Sequence, residues 1–443
     1  KQKIGIKKLL NLYKFFCHLN YPLWVLVLAL RRFKGKEHKE RYREKLGYCE
    51  YKRPKKNVIW INALGLGETL SLTIFLCELS KVFSDHIILV TSSTLQSNLA
   101  LENIPLPKNI IHQFAPVDNY YVLNSFLDYW DPKMALFSEL DVWPLRTSKV
   151  KERKIPLLLI NTRMDEKKKA SRKRLGKLFS EPLKEFDHIF LQDQSSKLYL
   201  MDFGVDEGKT TVNGPLKLAG TMFPDTTDIE KRLNILFKDK LIWAAASLHE
   251  SEENEILEAY KIAKQHLPNL VLIIIPRAIE LSENTMKKAL RYSKRVVKRS
   301  DFRDLPKKET AILVVNRIGE LGLWYKLAFI SFIGNSLSFK QIKTGKNPFE
   351  ALQANSIVIH GPKMIEPGYE KPASLGISDI VENRNDIANA VIKYSVANRR
   401  KEKIKRGQDL IKANKAITQN LIAHISDIYT KKSSGSVPRK SKN

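Results

Sequence analysis

Short apolar runs alternating with helical stretches occupy most of this chain, and that alternation restricts its fold more than any other feature. Residues 58–61, 87–91, 110–114, 134–137, 157–160 and 188–192 read as strands, and residues 69–82, 119–130 and 170–185 carry helical apolar spacing. The pattern predicts a doubly wound α/β domain. After the polar stretch Pro224-Asp225-Thr226-Thr227 it restarts, with strands expected at 242–246, 270–275, 311–315, 329–333 and 357–360. A second α/β domain follows, giving an expected division into an N-terminal segment 1–46, domains at 47–222 and 223–430, and a disordered Ser/Lys-rich tail at 431–443.

The first strand runs into the loop Asn62-Ala63-Leu64-Gly65-Leu66-Gly67-Glu68, and a helix opens at Thr69. Ligands of open α/β sheets sit at the carboxyl ends of the strands, so a carboxylate carried by this loop points into that crevice. Gly65 and Gly67 are expected to permit positive φ and close substrate approach. The plainer reading of Glu68 is a first-turn carboxylate that complements the helix dipole.

A chain of 443 residues with 43% hydrophobic content can bury a large core, which excludes a disordered protein. Lysine and arginine total 76 against 47 acidic residues, and the net charge of +29 calls for anionic partners: nucleic acid, an acidic membrane surface or a phosphorylated substrate. Cys17, Cys49 and Cys77 are odd in number and lack metal-ligand spacing, so neither a disulfide nor a zinc site is expected.

Residues 9–30 are mostly apolar, with Tyr13, Tyr21 and Trp24 suited to an interface, but Asn11, Lys14, His18 and Asn20 interrupt the run and Pro22 marks a break. Lys1, Lys3, Lys7 and Lys8 precede it and Arg31, Arg32, Lys34 and Lys36 follow. The expectation is a monotopic or single N-terminal anchor on an anionic membrane, whose removal leaves both domains folded; an amphipathic docking helix is the alternative.

The motifs, taken together and in order, resemble the 3-deoxy-D-manno-octulosonic acid (Kdo) transferases of lipopolysaccharide synthesis. The family's loop of Trp/Leu-x-His-x-x-Ser-x-Gly-Glu appears as Trp60-Ile61-Asn62-Ala63-Leu64-Gly65-Leu66-Gly67-Glu68. Asp131-Pro132-Lys133 leads to Glu139-Leu140-Asp141-Val142-Trp143-Pro144, and Asn161-Thr162-Arg163 and Gly214-Pro215-Leu216-Lys217 follow. In the second half come Ser247-Leu248-His249-Glu250-Ser251-Glu252-Glu253, Pro276-Arg277, Gly319-Glu320-Leu321, Gly334-Asn335-Ser336-Leu337, Asn347-Pro348-Phe349-Glu350 and Gly361-Pro362. The resemblance covers nearly the whole chain.

It implies a GT-B fold, two Rossmann-like domains facing a central cleft behind an N-terminal membrane-associated helix. It also implies a metal-independent, cofactor-free, inverting transfer of Kdo from CMP-Kdo to a lipid A precursor at the cytoplasmic face of the inner membrane. Glu68 would be the general base, and Glu139 and Lys217 would stabilise the transition state. On the donor side, Arg277 after Pro276 suits a phosphate or the cytosine edge. Ile318, Gly319 and Glu320 open a helix whose amides would face the donor, and Asn347, Pro348, Phe349 and Glu350 place a carboxylate for ribose hydroxyls. Ser247 and Ser336 are further phosphate-contact candidates, with helix capping as the plainer reading.

Departures cluster where sugar and donor phosphates are expected: Asn62, Ala278 and Lys346 replace family histidines, Gly65 a serine, and Leu281 an arginine. Lys346 restores some positive charge but no imidazole. Two alternatives to Kdo transfer stay open: a divergent GT-B paralogue that uses another nucleotide sugar or lacks turnover, and, at a distance, a nonenzymatic nucleic-acid-binding protein. The charge comes with no nucleic-acid-binding motif, so no nucleic-acid partner is expected.

Overall fold

The computed structural model describes residues 2–63, 65–300, 306–317, 319–341 and 344–434. The chain divides into two units, Lys1–Leu216 with Ala416–Asn443, and Lys217–Lys415.

The first unit is built on β1 (Val58–Ala63), β2 (Ile87–Ser92), β3 (Ile110–Phe114), β4 (Pro132–Ser138), β5 (Leu157–Thr162), β6 (His188–Leu191) and β7 (Thr210–Val212). They form one sheet in the order β3-β2-β1-β4-β5-β6-β7, parallel throughout. Every residue of β1 is buried, because both faces of the sheet are covered. Trp60 packs on one face with Leu89, Phe126 and Phe137, while Ile59 and Ile61 pack on the other with Phe75, Leu76 and Val90. Successive side chains of a strand point to opposite faces, and the two clusters follow from that alternation.

The second unit repeats the plan with β8 (Leu241–Leu248), β9 (Leu270–Pro276), β10 (Val296–Arg299), β11 (Ile312–Val315), β12 (Ile330–Ile333), β13 (Ile357–His360) and β14 (Asp379–Ile380). Its order is β10-β11-β9-β8-β12-β13-β14, again parallel. The short edge strands β7, β10 and β14 were not legible, since two to four residues of mixed polarity carry too little pattern. In each sheet the strand order reverses beside the first strand, between β1 and β4 and between β8 and β12. Those two reversals are where an open α/β sheet forms a crevice for a ligand.

Several boundaries differ from expectation, among them the division between the units, at Leu216 rather than 222, and the helix read at 69–82, which is two, Leu66–Ser71 and Thr73–Val82. The helix read at 170–185 is two, Glu166–Leu175 and Lys177–Lys184, broken where Gly176 takes φ of 52°. The terminal helices do not all belong with the second unit: the helix Asn398–Ser434 ends with Leu421, Ile422 and Ile425 buried in the first unit's core. The start of the tail expected at 431–443 is ordered, because residues 431–434 continue that helix and Lys432 pairs with Asp187 at 3.0 Å; residues 435–443 lie outside the described residues.

The N-terminal segment is two helices, α1 (Gln2–Leu19) and α2 (Tyr21–Phe33), with Pro22 in the first turn of α2. Among the described residues no single helix is long and apolar enough to cross a membrane, but Leu10–Leu19 and Tyr21–Phe33, bent by 61°, meet that test as a pair. The inner face of α1 docks on the first unit. Tyr13 donates to Asp118 Oδ2 at 2.6 Å, Asn119 Nδ2 donates to the carbonyl of Cys17 at 2.7 Å, and Cys17 is buried against Leu123 and Leu145. The opposite side exposes Leu12, Phe15, Phe16 and Leu19 on α1, and Leu23, Leu26, Leu30 and Phe33 on α2. This segment is therefore a docked pair of helices with an uncovered apolar face.

Candidate active site

In the first unit, polar side chains gather at the carboxyl ends of β1, β4, β5 and β6. The loop after β1 leads into the short helix α3 (Leu66–Ser71), entered through Gly65, whose φ of −132° is extended. Leu64 lies outside the described residues. Neither Gly65 nor Gly67 takes a positive φ, which corrects the conformational reason given for them. Each does face open space, because a Cβ added at either position would meet nothing within 4 Å. The Glu68 carboxylate accepts from the Gly65 N–H at 3.0 Å, so the capping reading is realised in the ligand-free chain. Glu68 stays half-buried at the reversal of strand order, and its capping bond does not take it away from that rim.

Glu139 directly follows β4 on the other side of the reversal and takes φ of 59°, a left-handed conformation that a non-glycine residue adopts at some cost. Its Oε1 accepts from Gln192 Nε2 at 3.0 Å and from Asn161 Nδ2 at 3.3 Å, and Lys168 stands 3.8 Å from Oε2. Asn161, also left-handed at φ 52°, receives the N–H of Leu216 on its Oδ1 at 3.1 Å, and Gln192 donates to its carbonyl at 2.8 Å. This network ties together the ends of β4, β5 and β6 and orients one carboxylate. In the sequence Asn161 stands out only as part of a motif and Gln192 only as the end of a strand; an Asn at a strand end, tolerant of the left-handed region, is the available signal.

Asn62, in place of the family's histidine, is fully buried rather than placed among ligand contacts. Its amide donates to Asp141, and its oxygen accepts from Thr91 at 2.6 Å. Asp141 also receives Trp143 Nε1 at 2.6 Å and Arg146 at 2.9 Å. Burial pushes the Asp141 carboxyl up, and Arg146, Trp143 and Asn62 pull it back. The substitution at 62 is thus absorbed by a hydrogen-bonded network beneath the site.

In the second unit, the loops after β8, β9 and β12 converge. Ser247 is left-handed at φ 56°, where the register between β8 and β9 breaks. Pro276 pairs with Leu248 and is buried as the last residue of β9. Arg277 is exposed just beyond it and donates to Asn335 Oδ1 at 3.3 Å. Gly334 allows the loop after β12 to pass β8, since a Cβ there would sit 2.8 Å from the carbonyl oxygens of Ala246 and Ser247. Glu252 holds these loops: fully buried, it accepts the backbone N–H groups of His249, Asn335, Ser336 and Leu337 at 2.6–3.0 Å. That role was missed, although Glu252 belonged to a quoted motif. Ser336 is buried as well, donating to the carbonyl of Ile333 at 2.6 Å and accepting the Gly361 N–H at 2.8 Å, so its hydroxyl serves the turn.

Glu320 is likewise committed within the fold. Its carboxylate pairs with the buried Arg299 at 2.7 and 2.8 Å and with Arg317 at 2.9 Å. Gly319, at φ 90°, precedes it, and Ile318 lies outside the described residues. Pro348 and Phe349 are buried, and Asn347 starts their helix by accepting the Phe349 N–H at 3.0 Å and donating to Glu350 at 3.3 Å. Burial pushes the Glu350 carboxyl up to about 7 despite the Asn347 bond.

Lys217 reaches Glu366 at 3.2 Å and lies 4.3 Å from the centre of the Tyr369 ring. Thr344 donates to the other oxygen of Glu366 at 3.4 Å, and its carbonyl receives Asn335 Nδ2. Burial lowers the Lys346 ammonium; Arg277 and Lys217 lower it further, while Glu366 opposes them. Arg277 and Lys217 are thus near enough to bear on Lys346, and these three cations, with Glu366 against Lys217, suit a phosphate or carboxylate. Glu366 was not foreseen. Among the described residues no group of three His, Cys, Asp or Glu side chains is placed to hold a metal ion.

Two doubly wound units, each on a parallel seven-stranded sheet, have the GT-B fold. A glycosyltransferase from Rickettsia africae has this fold, with a TM-score of 0.53 at 13% identity over 85% of this chain and 99% of its own. Residues 40–219 match the family model of 3-deoxy-D-manno-octulosonic-acid transferase (kdotransferase). A 3-deoxy-D-manno-octulosonic acid transferase of Rickettsia bellii is 30% identical over 356 residues, covering 80% of this chain and 83% of its own. That of Haemophilus influenzae is 27% identical over 346 residues, covering 77% and 79%. The chain belongs to the Kdo transferase family, and membership implies Kdo transfer in lipopolysaccharide biosynthesis.

Proposed function

We propose that this protein transfers Kdo from CMP-Kdo to a lipid A precursor with inversion, on the cytoplasmic face of the inner membrane. The observation that carries the reading is the position of Glu68 and Glu139 on either side of the strand-order reversal in the first unit. Glu68 takes the proton of the acceptor hydroxyl as that oxygen bonds to the anomeric carbon. The bond from that carbon to the phosphate of CMP breaks, and CMP leaves with the electron pair. Glu139, oriented by Asn161 and Gln192, faces the positive charge that develops at the carbon. Lys217, Arg277 and Lys346 in the second unit supply cations for the donor's phosphate and carboxylate.

One observation favours a second reading, a paralogue that takes another nucleotide sugar or does not turn over. Glu366 brings a carboxylate onto Lys217, and Lys346 stands where the family has histidine. Incubation of the purified chain with labelled CMP-Kdo and the tetraacyl lipid A precursor, followed by mass spectrometry of the lipid, separates the two. A product heavier by one or more Kdo residues is expected. An unchanged lipid, with transfer from a different nucleotide sugar or from none, would overturn the reading.

A further inference from the structure

A cavity of about 290 Å³ lies in the first unit beneath α2. The helix contributes Trp24, Val27, Leu28 and Arg31, residues spaced so that they share one face, while Leu23, Leu26, Leu30 and Phe33 lie exposed on the other. Ala115, Pro116 and Val117 add apolar wall from beyond β3. Its charged lining is balanced: Arg31, Lys45 and Arg146 stand against Glu37, Asp118 and Asp141, with Arg31 and Lys45 paired to Glu37 and Arg146 to Asp141. A ligand need bring no net charge.

The cavity's volume is just under the roughly 300 Å³ at which small-molecule sites begin, enough for one slender group. The cavity also adjoins the site's supports, since Asp141 lines it and receives the amide of Asn62 at the end of β1.

We propose that this cavity receives one acyl chain of an amphipathic lipid against the wall of Trp24, Val27, Leu28, Ala115, Pro116 and Val117. The uncovered apolar face of α2 lies on the reverse side of the same helix, so the cavity and that face share one helix as their wall. That the lipid is the sugar acceptor rests on the function proposed above; that the cavity takes an acyl chain does not.

The test uses the full chain and N-acyl glucosamines of graded chain length whose chains carry paired bromines, which quench nearby tryptophan. Subtracting the signal of Trp24→Phe isolates Trp24. Saturable quenching is expected, with affinity rising with chain length and levelling off once the cavity is filled. Ala115→Leu and Val27→Phe, two independent fillings, should each weaken binding at least tenfold. Absent quenching would mean a cavity that holds only water. Quenching unchanged by the fillings, or affinity that climbs without levelling, would mean adsorption to the outer face of α2; each result overturns the proposal. Because no donor or turnover is involved, failure of Kdo transfer leaves this experiment intact, and transfer to lipid without quenching sinks the cavity alone.

Discussion

Glu68 combines two demands on one carboxylate: it caps α3 through the Gly65 N–H, and the proposed function makes it the base for an acceptor hydroxyl. Glu68→Gln keeps an oxygen for the cap and loses the base. The variant is therefore expected to melt with the wild type while transfer falls by about 10²–10⁴-fold. A parallel loss of melting temperature and activity would return Glu68 to a structural role. Glu350 gives a pH signature of its own. Its folded pKa of about 7 lies above the ordinary 4.5, so between those values the folded chain keeps a proton that the unfolded chain has released. Stability should fall as pH rises through that window, with the full deficit present above it. Glu350→Gln removes the titration, and thermal unfolding at pH 5 and pH 8 should show a smaller decline for the variant than for the wild type. Equal declines would mean that Glu350 ionises as it does in the unfolded chain.

At the scale of elements, two carboxylates decide whether a loop or a helix stays in place. Glu252 accepts backbone donors from His249 and from three consecutive residues after β12, an arrangement that only an acceptor-only side chain satisfies. An amide at that position turns its NH₂ toward at least one N–H. Glu252→Gln should cost about 3 kcal/mol in denaturant unfolding and should also weaken CMP binding through the Asn335 loop that meets Arg277. Unchanged unfolding would assign the loop's geometry to Gly334 alone. Asp118 plays the matching part for α1, since it receives Tyr13 and the Arg146 N–H while buried. Removal of residues through 30 takes away Tyr13 and the burial of Leu123 and Leu145 by Cys17. The truncated chain should accordingly lose melting temperature; an unaltered transition would restore the simple anchor.

For the whole molecule, on the membrane proposed above, the net charge of +29 and the exposed apolar face of α1 and α2 would make separable contributions to binding. The Debye length shrinks from about 10 Å at 0.1 M salt to about 3 Å at 1 M, so the electrostatic share is lost first. Sedimentation with anionic vesicles should fall steeply across that range to the level found with neutral vesicles, and the residue should vanish when Leu23, Leu26 and Leu30 are replaced by serine. Salt-independent binding would assign the association to the apolar face alone.

Sequence alone determined the doubly wound class, the long strands and the motif residues, because buried parallel strands are continuous apolar runs and because motif chemistry lies in contiguous stretches. Residues 58–61 and 270–275 needed no context to be read as strands; β14, with two residues, had no readable signal. Tertiary structure decided which of those residues face a ligand and which serve the fold. Glu320 and Glu350 look alike in sequence, each a glutamate near a helix start, yet one is locked by Arg299 and the other is left with an amide and a raised pKa. Partners far along the chain make that difference: Arg299 for Glu320, Asp141 for Asn62, and Glu366 for Lys217. The energy of a buried charge depends on what surrounds it in space, and the order of residues along the chain does not contain that neighbourhood.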